Sequence, residues 1–184
     1  MKPLRIGLCG FGGQGIILMS VVLGTAAVTR SGLYATQTQS YGSEARGGQC
    51  QAELIISDQP INSPTAPQKD ILIAMFQSAL DKYLPTLKPD GVLIIDPRLV
   101  SDLHGTRARV FEVPATEIAL GLGNRLAANM VVLGYLQATT GLLSRDELVG
   151  VVTESVAERF LDLDLRAVDA GIAYAKGTKI ALGV

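Results

Sequence analysis

The first residues whose types and spacing can do chemistry are those of Gly10-Phe11-Gly12-Gly13-Gln14-Gly15. Gly10, Gly12 and Gly15 satisfy G-x-G-x-x-G between an apolar run that reads as a strand and one that reads as a helix. Glycine permits the tight turn and lets backbone N–H groups approach a phosphate, and a helix N-terminus adds partial positive charge there. Three readings follow: a site for an anionic ligand or a partner surface, a dinucleotide site, or a turn whose glycines only permit close packing. The dinucleotide reading needs an Asp or Glu about 20 residues further on to hold the ribose. That zone is Ser31-Gly32-Leu33-Tyr34-Ala35-Thr36-Gln37-Thr38, without an acid, and Arg30 precedes the expected strand rather than ending it. The turn also lacks the Lys-Ser/Thr ending of a P-loop.

A second cluster lies in Gln39-Ser40-Tyr41-Gly42-Ser43-Glu44-Ala45-Arg46-Gly47-Gly48, a polar segment inside an otherwise apolar chain. Loops with varied polar groups often carry function. Arg46 has the fork to grip a phosphate or carboxylate, and Glu44 can orient it or accept a ligand hydroxyl. The alternative is an Arg–Glu pair pinning a crossover, with Gly47-Gly48 making the turn; Tyr41 suits a ligand or the core equally. Asn124 reads as the cap of a helix, and Asn129 as a polar group within that helix needing a backbone or partner contact. His104 follows Asp102 in a loop with no acid–nucleophile partner evident, so it is given no catalytic role. Cys9 and Cys50 read as buried reduced thiols, with a disulfide as the alternative. Two Cys and one His cannot by themselves supply a four-Cys iron–sulfur cluster or a four-ligand structural zinc.

These residues need a frame. Leu4–Cys9, Leu33–Thr38, Gln49–Ser57, Asp70–Phe76, Val92–Asp96 and Arg107–Val113 read as strands. Gln49–Ser57 alternates, with Cys50, Ala52, Leu54 and Ile56 on one face, so it is expected to be half-buried. Ile16–Thr29 reads as a helix buried on most sides, since Ile17, Val21 and Ala27 share no narrow stripe. Ser78–Leu87 is expected to be helical up to a Lys88-Pro89-Asp90-Gly91 turn. Further helices are expected at Ala115–Leu122, Asn124–Thr139, from the Ser144/Glu147 capping box to about Phe160, and Leu163–Lys176. The expected fold is α/β: a layered sheet of mainly parallel strands flanked by helices, with residues 1–184 as one domain.

Composition narrows the function classes. Of 184 residues, 48% are hydrophobic and 18% charged, enough for a core of Val, Leu, Ile and Ala without Trp. Net charge is −1, so no basic excess points to nucleic acid or an anionic membrane. No signal peptide or membrane-spanning run is read, which makes the expected location cytoplasmic. A mean hydropathy of +0.32 fits apolar surface covered by partner chains, or an Ala- and Val-rich core.

The motifs together resemble one family. Gly10–Gly15 resembles its G-x-G-G-Q-G opening, and Ser40-Tyr41-Gly42-Ser43-Glu44-Ala45-Arg46-Gly47-Gly48 its S-Y-G-x-E-x-R-G-G loop. Val113-Pro114-Ala115-Thr116-Glu117-Ile118-Ala119, Gly123-Asn124 and Ala128-Asn129-Met130-Val131-Val132-Leu133-Gly134 resemble its P-A-T-x-I-A, G-N and A-N-M-V-x-L-G blocks. The family is the gamma subunit, or the equivalent fused domain, of 2-oxoacid:ferredoxin oxidoreductases; the wording resembles its 2-oxoglutarate branch more than its pyruvate branch, and indolepyruvate and branched-chain relatives share much of it. The resemblance implies decarboxylation of a 2-oxoacid on thiamine diphosphate, electron flow through iron–sulfur clusters to ferredoxin, and transfer of the acyl group to coenzyme A. It implies alpha and beta subunits, with a ferredoxin-like delta subunit in some assemblies. Thiamine diphosphate, Mg and the clusters then sit on those partners, and this chain alone binds no cofactor. Its share is assembly and contact with coenzyme A. The residues assigned to that contact are Gly10, Gly12, Gly13, Gln14, Gly15, Ser40, Tyr41, Glu44, Arg46, Gly47, Asn124 and Asn129. The competing expectations are a stand-alone nucleotide-binding oxidoreductase and a scaffold without ligand contact.

Overall fold

Branched aliphatic residues at alternating positions pack well on a pleated surface, and this chain uses them on both sides of its strands. The computed structural model describes residues 2–41 and 48–180. In order, it contains β1 (Leu4–Phe11), α1 (Ile16–Thr29), β2 (Tyr34–Tyr41), β3 (Gln49–Ser57), β4 (Lys69–Ala74), α2 (Gln77–Tyr83) and β5 (Leu87–Ile95). Then come β6 (Arg109–Glu112), α3 (Ala115–Gly121), α4 (Ala128–Thr140), α5 (Arg145–Ser155) and α6 (Glu158–Tyr174). The strands form one sheet in the order β2-β3-β1-β4-β5-β6. β1, β4, β5 and β6 run parallel, whereas β3 is antiparallel to both β1 and β2. The layered α/β sheet flanked by helices is therefore present, as a mixed sheet.

Alternation sorts the core into two layers. Leu4, Ile6, Leu8, Ile71, Ile73, Val92 and Ile94 face α1 and α3 to α6. Cys9, Leu72, Ala74, Leu93 and Ile95 face the other way, where α2 supplies Ala79, Leu80 and Tyr83. β3 is not half-buried as its pattern suggested: Gln51, Ile55 and Ser57 are buried as well. On this second face Lys69 is also fully buried. Its ammonium meets Glu53 Oε1 at 2.6 Å and the Ala66 carbonyl. Gly7 pairs with Glu53 across the β1–β3 ladder and leaves room for the lysine stem; an added Cβ would lie 3.2 Å from Lys69 Cγ. An unpaired ammonium here would cost several kcal/mol, so the partners are obligatory.

The helices on the first face are held by a close crossing. α4 is buried along Ala128–Leu136, and α6 packs against it. A Cβ on Gly134 would stand 2.0 Å from the Val168 carbonyl oxygen, and one on Gly171 2.0 Å from that of Val131. The two backbones approach as only glycine allows.

Several boundaries differ from expectation. β2 runs to Tyr41 and absorbs Gln39 and Ser40, because cross-strand pairing with β3 outweighs their polarity. Lys88–Gly91 is strand rather than turn, with a register shift against β4 between Lys69 and Ile71. α5 stops at Ser155, and Phe160 belongs to α6. α1 has the expected limits but an exposed stripe, with Val21 and Val28 at 40% and 46% exposure.

Candidate functional site

The carboxyl ends of β1, β4, β5 and β6 lie at one end of the sheet, and the chain leaves β1 and β4 toward opposite sides. An open α/β sheet has its crevice at such a switch point. Here a cavity of about 300 Å³ opens between the glycine turn after β1, Met75 and Phe76 after β4, Leu99 after β5, and Thr116, Arg125 and Leu126 from the segments beyond β6.

The turn is built by side chains that look inward. Gln14 accepts the Phe11 amide at Oε1 (2.7 Å) and donates from Nε2 to the Met75 carbonyl (2.7 Å), clipping the turn to the end of β4. Gly10 is what lets it: a Cβ there would meet Gln14 Oε1 at 2.5 Å. Gly15 adopts a left-handed φ of 72° directly before α1, and an added Cβ would stand 2.2 Å from Asn129 Nδ2. Asn129 is buried in α4 and accepts the Met130 amide at Oδ1. It props the turn from behind and does not line the crevice.

Gly12 and Gly13 are left at the surface. The Gly12 amide reaches the Gly48 carbonyl at 3.0 Å, while among the described residues no hydrogen bond takes the Gly13 amide. The first amides of α1 carry no intrahelical partner. The Gly13 amide and the positive end of a 14-residue helix thus lie at the opening.

The opposite wall carries a cation that sequence reading passed over. Asn124 Oδ1 caps the 3-10 turn Arg125–Ala127 by accepting the Leu126 amide at 3.0 Å. That cap presents Arg125 and Leu126 to the crevice, and among the described residues Arg125 has no acidic partner. The available signal was a basic residue following the Gly123-Asn124 pair. The floor is tied by Asp96, buried at the end of β5, whose carboxylate accepts the Arg98 amide (3.0 Å) and the Thr116 amide (2.7 Å).

The described ends of the second polar segment lie at the same end of the sheet as the glycine turn. Gly10 and Phe11 pair with Cys50 and Gln49 of β3, and Cys50 pairs in turn with Tyr41 of β2. Ser40 and Tyr41 therefore end at the same end of the sheet as the turn, roughly 10 Å away across two strand spacings. Glu44, Arg46 and Gly47 lie outside the described residues.

Loop Ser101–His104 is fastened beside this site. Gln77 Oε1 accepts the amides of Ser101 and Asp102, at 2.9 and 3.0 Å. His104, in a left-handed conformation, meets Asp81 Oδ1 at 2.7 Å. That hydrogen bond raises the His104 pKa and lowers that of Asp81.

The dinucleotide reading does not survive the topology. A dinucleotide fold places the ribose-binding acid on a strand adjacent to β1. Here antiparallel β3 separates β2 from β1, and β2 contains no acid. An iron–sulfur cluster does not fit this chain's residues either. Cys9 and Cys50 point to opposite faces of the sheet, and burial raises both thiol pKa values.

Sheet order, crevice and glycine turn define an α/β domain with an open crevice at the switch point of its sheet. The chain belongs to the pyruvate ferredoxin/flavodoxin oxidoreductase family, whose model matches residues 5–174. It is 42% identical to the 2-oxoglutarate synthase subunit KorC of Methanothermobacter thermautotrophicus, over 92% of this chain and 93% of that one. The gamma subunit of keto/oxoacid ferredoxin oxidoreductase from Geobacter sulfurreducens superposes with a TM-score of 0.82 at 38% identity, covering 94% of this chain and 98% of that one. Within the family, then, this is a gamma-type subunit of a 2-oxoacid:ferredoxin oxidoreductase. The 2-oxoglutarate:ferredoxin oxidoreductase of Magnetococcus marinus, solved with 2-oxoglutarate, coenzyme A and succinyl-CoA bound, shares the fold at a TM-score of 0.86 and 23% identity. The match covers 98% of this chain and 33% of that longer one.

Proposed function

We propose that residues 1–184 act as one gamma-type domain of a 2-oxoglutarate:ferredoxin oxidoreductase, and that the crevice receives the phosphates of coenzyme A. The observation that carries the reading is the pairing across one opening of the glycine turn, with its Gly13 amide, and Arg125. Coenzyme A is a polyanion; backbone N–H groups at a helix start and a guanidinium are matched donors for it. Gly13 then binds through its backbone amide, Gly12, Gln14, Gly10, Gly15, Asn124 and Asn129 position, and Arg46 and Glu44 keep the coenzyme A role that the sequence resemblance gives them. The 2-oxoglutarate assignment is supported by the identity to KorC over nearly all of both chains. Thiamine diphosphate, Mg and the clusters belong in this reading to alpha and beta partners, which decarboxylate the 2-oxoacid and reduce ferredoxin in the cytoplasm. Among the described residues no helix is long and apolar enough to cross a membrane.

Calorimetry on the assembled enzyme tests the reading. Arg125→Ala is expected to weaken coenzyme A binding by about tenfold, the loss of a charge-assisted bond worth roughly 1.5 kcal/mol or more. Unchanged affinity in both Arg125→Ala and Arg46→Ala would remove coenzyme A from the crevice.

A further inference from the structure

An anion alone leaves much of the crevice unexplained. Beside Gly13 and Arg125 it is lined by five apolar side chains, Phe11, Met75, Phe76, Leu99 and Leu126. Phe11 is 37% exposed and Leu126 58%. Single exposed apolar side chains are ordinary on a protein surface. Several converging on one concave opening, with a few polar groups among them, mark a ligand site.

The two aromatic rings are held as a pair. Their centroids lie 5.2 Å apart, with the planes tilted by 38°. Gln14 fixes both backbones at once: its Oε1 accepts the Phe11 amide, and its Nε2 donates to the carbonyl of Met75, the residue before Phe76. One side chain thus sets the rings beside the turn that carries the Gly13 amide. Gly13 is two residues beyond Phe11, at most about 7.6 Å away by Cα, a gap that a ribose spans between a base and its phosphate.

We infer that Phe11 and Phe76 form a base subsite, so that the crevice takes the adenosine end of coenzyme A with its phosphates and not the pantetheine arm. The inference rests on the coenzyme A reading and names the half of the molecule that is held. Both halves adjoin the diphosphate, so charge does not choose between them. The aromatic lining does. A purine presents a flat π face on which a phenyl ring stacks, whereas pantetheine is an aliphatic amide chain that gains only contact area. The size agrees: about 300 Å³ is at the lower limit for a ligand pocket and suits part of coenzyme A, with the arm and its thiol leading out of the opening.

Calorimetry on the assembled enzyme is the test, with adenosine 3′,5′-bisphosphate and phosphopantetheine as separate probes. The bisphosphate is expected to compete with coenzyme A on the wild type, a measurement that needs no variant. Phe11→Leu keeps apolar bulk and removes the ring, and is expected to weaken the bisphosphate about tenfold. Phe11→Tyr keeps the ring and should bind it as the wild type does, while phosphopantetheine should not distinguish Phe11→Leu from wild type. A bisphosphate that does not compete, equal affinity in Phe11→Leu and wild type, or equal losses in the Leu and Tyr variants overturns the inference. If Arg125→Ala still weakens coenzyme A in that case, the crevice keeps the cofactor and only the choice of its adenosine end is wrong. Unchanged coenzyme A affinity in both arginine variants removes the two readings together.

Discussion

Glycine serves opposite ends in two regions of this molecule. At the α4–α6 crossing, Gly134 and Gly171 lie in regular helix, and what forbids a side chain is the partner helix's backbone 2.0 Å from where Cβ would be. In the crevice, Gly13 has φ 94° and nothing within 4 Å of its Cβ position, so there the constraint is conformation and the space is open. One region uses glycine to close a gap, the other to keep backbone reachable. The lesson is that a glycine's role follows from what stands beside it.

The contrast can be broken most sharply at the crossing. Gly134→Ala places a methyl against a carbonyl that cannot swing away, so the helices must separate. An expected loss of about 3 kcal/mol follows, read as a lower denaturant midpoint at unchanged slope. A variant as stable as wild type would mean that the crossing yields easily.

A smaller effect is expected at Gly15, which combines both kinds of constraint. Gly15→Ala pays for left-handed backbone and for contact with Asn129, together about 2 kcal/mol. Because the obstructing atom is a side-chain end, Asn129→Ala should relieve part of that loss, and a double-mutant cycle should show coupling. Simple additivity would place the whole effect in the backbone.

The smallest expected effect sharpens the comparison from the solvent side. His104 beside the crevice gains its partner Asp81 on folding and has a raised pKa. Its contribution is therefore complete below the ordinary histidine value of 6.5 and fades as pH climbs through the raised one. Urea titrations from pH 6 to 9 should show a shallow decline that Asp81→Asn flattens. A slope unchanged in that variant would assign the titration elsewhere.

Much of the frame was legible in the chain itself. The limits of α1 and β3 matched because each apolar block is bounded by glycine or by a polar turn. The crevice turn was legible because glycine spacing between a strand and a helix has few physical solutions. Arg125 was not, since its position depends on the Asn124 cap and on the return of the chain past β6. Nor were Gly134 and Gly171, whose meaning lies wholly in a neighbour distant in sequence. Gln39 to Tyr41 read as loop because polarity argued against a strand; the ladder to β3 supplies what their side chains do not.

The two thiols have a practical consequence. Cys9 is fully buried in the layer to which α2 contributes, whereas Cys50 is 6% exposed on the other face, at the strand end paired with Gly10. Their rates of alkylation thus become separate clocks: loosening of the sheet's end beside the glycine turn suffices for Cys50, while Cys9 waits for its own layer to open. The chain carries its own pair of reporters, one for each face of the sheet.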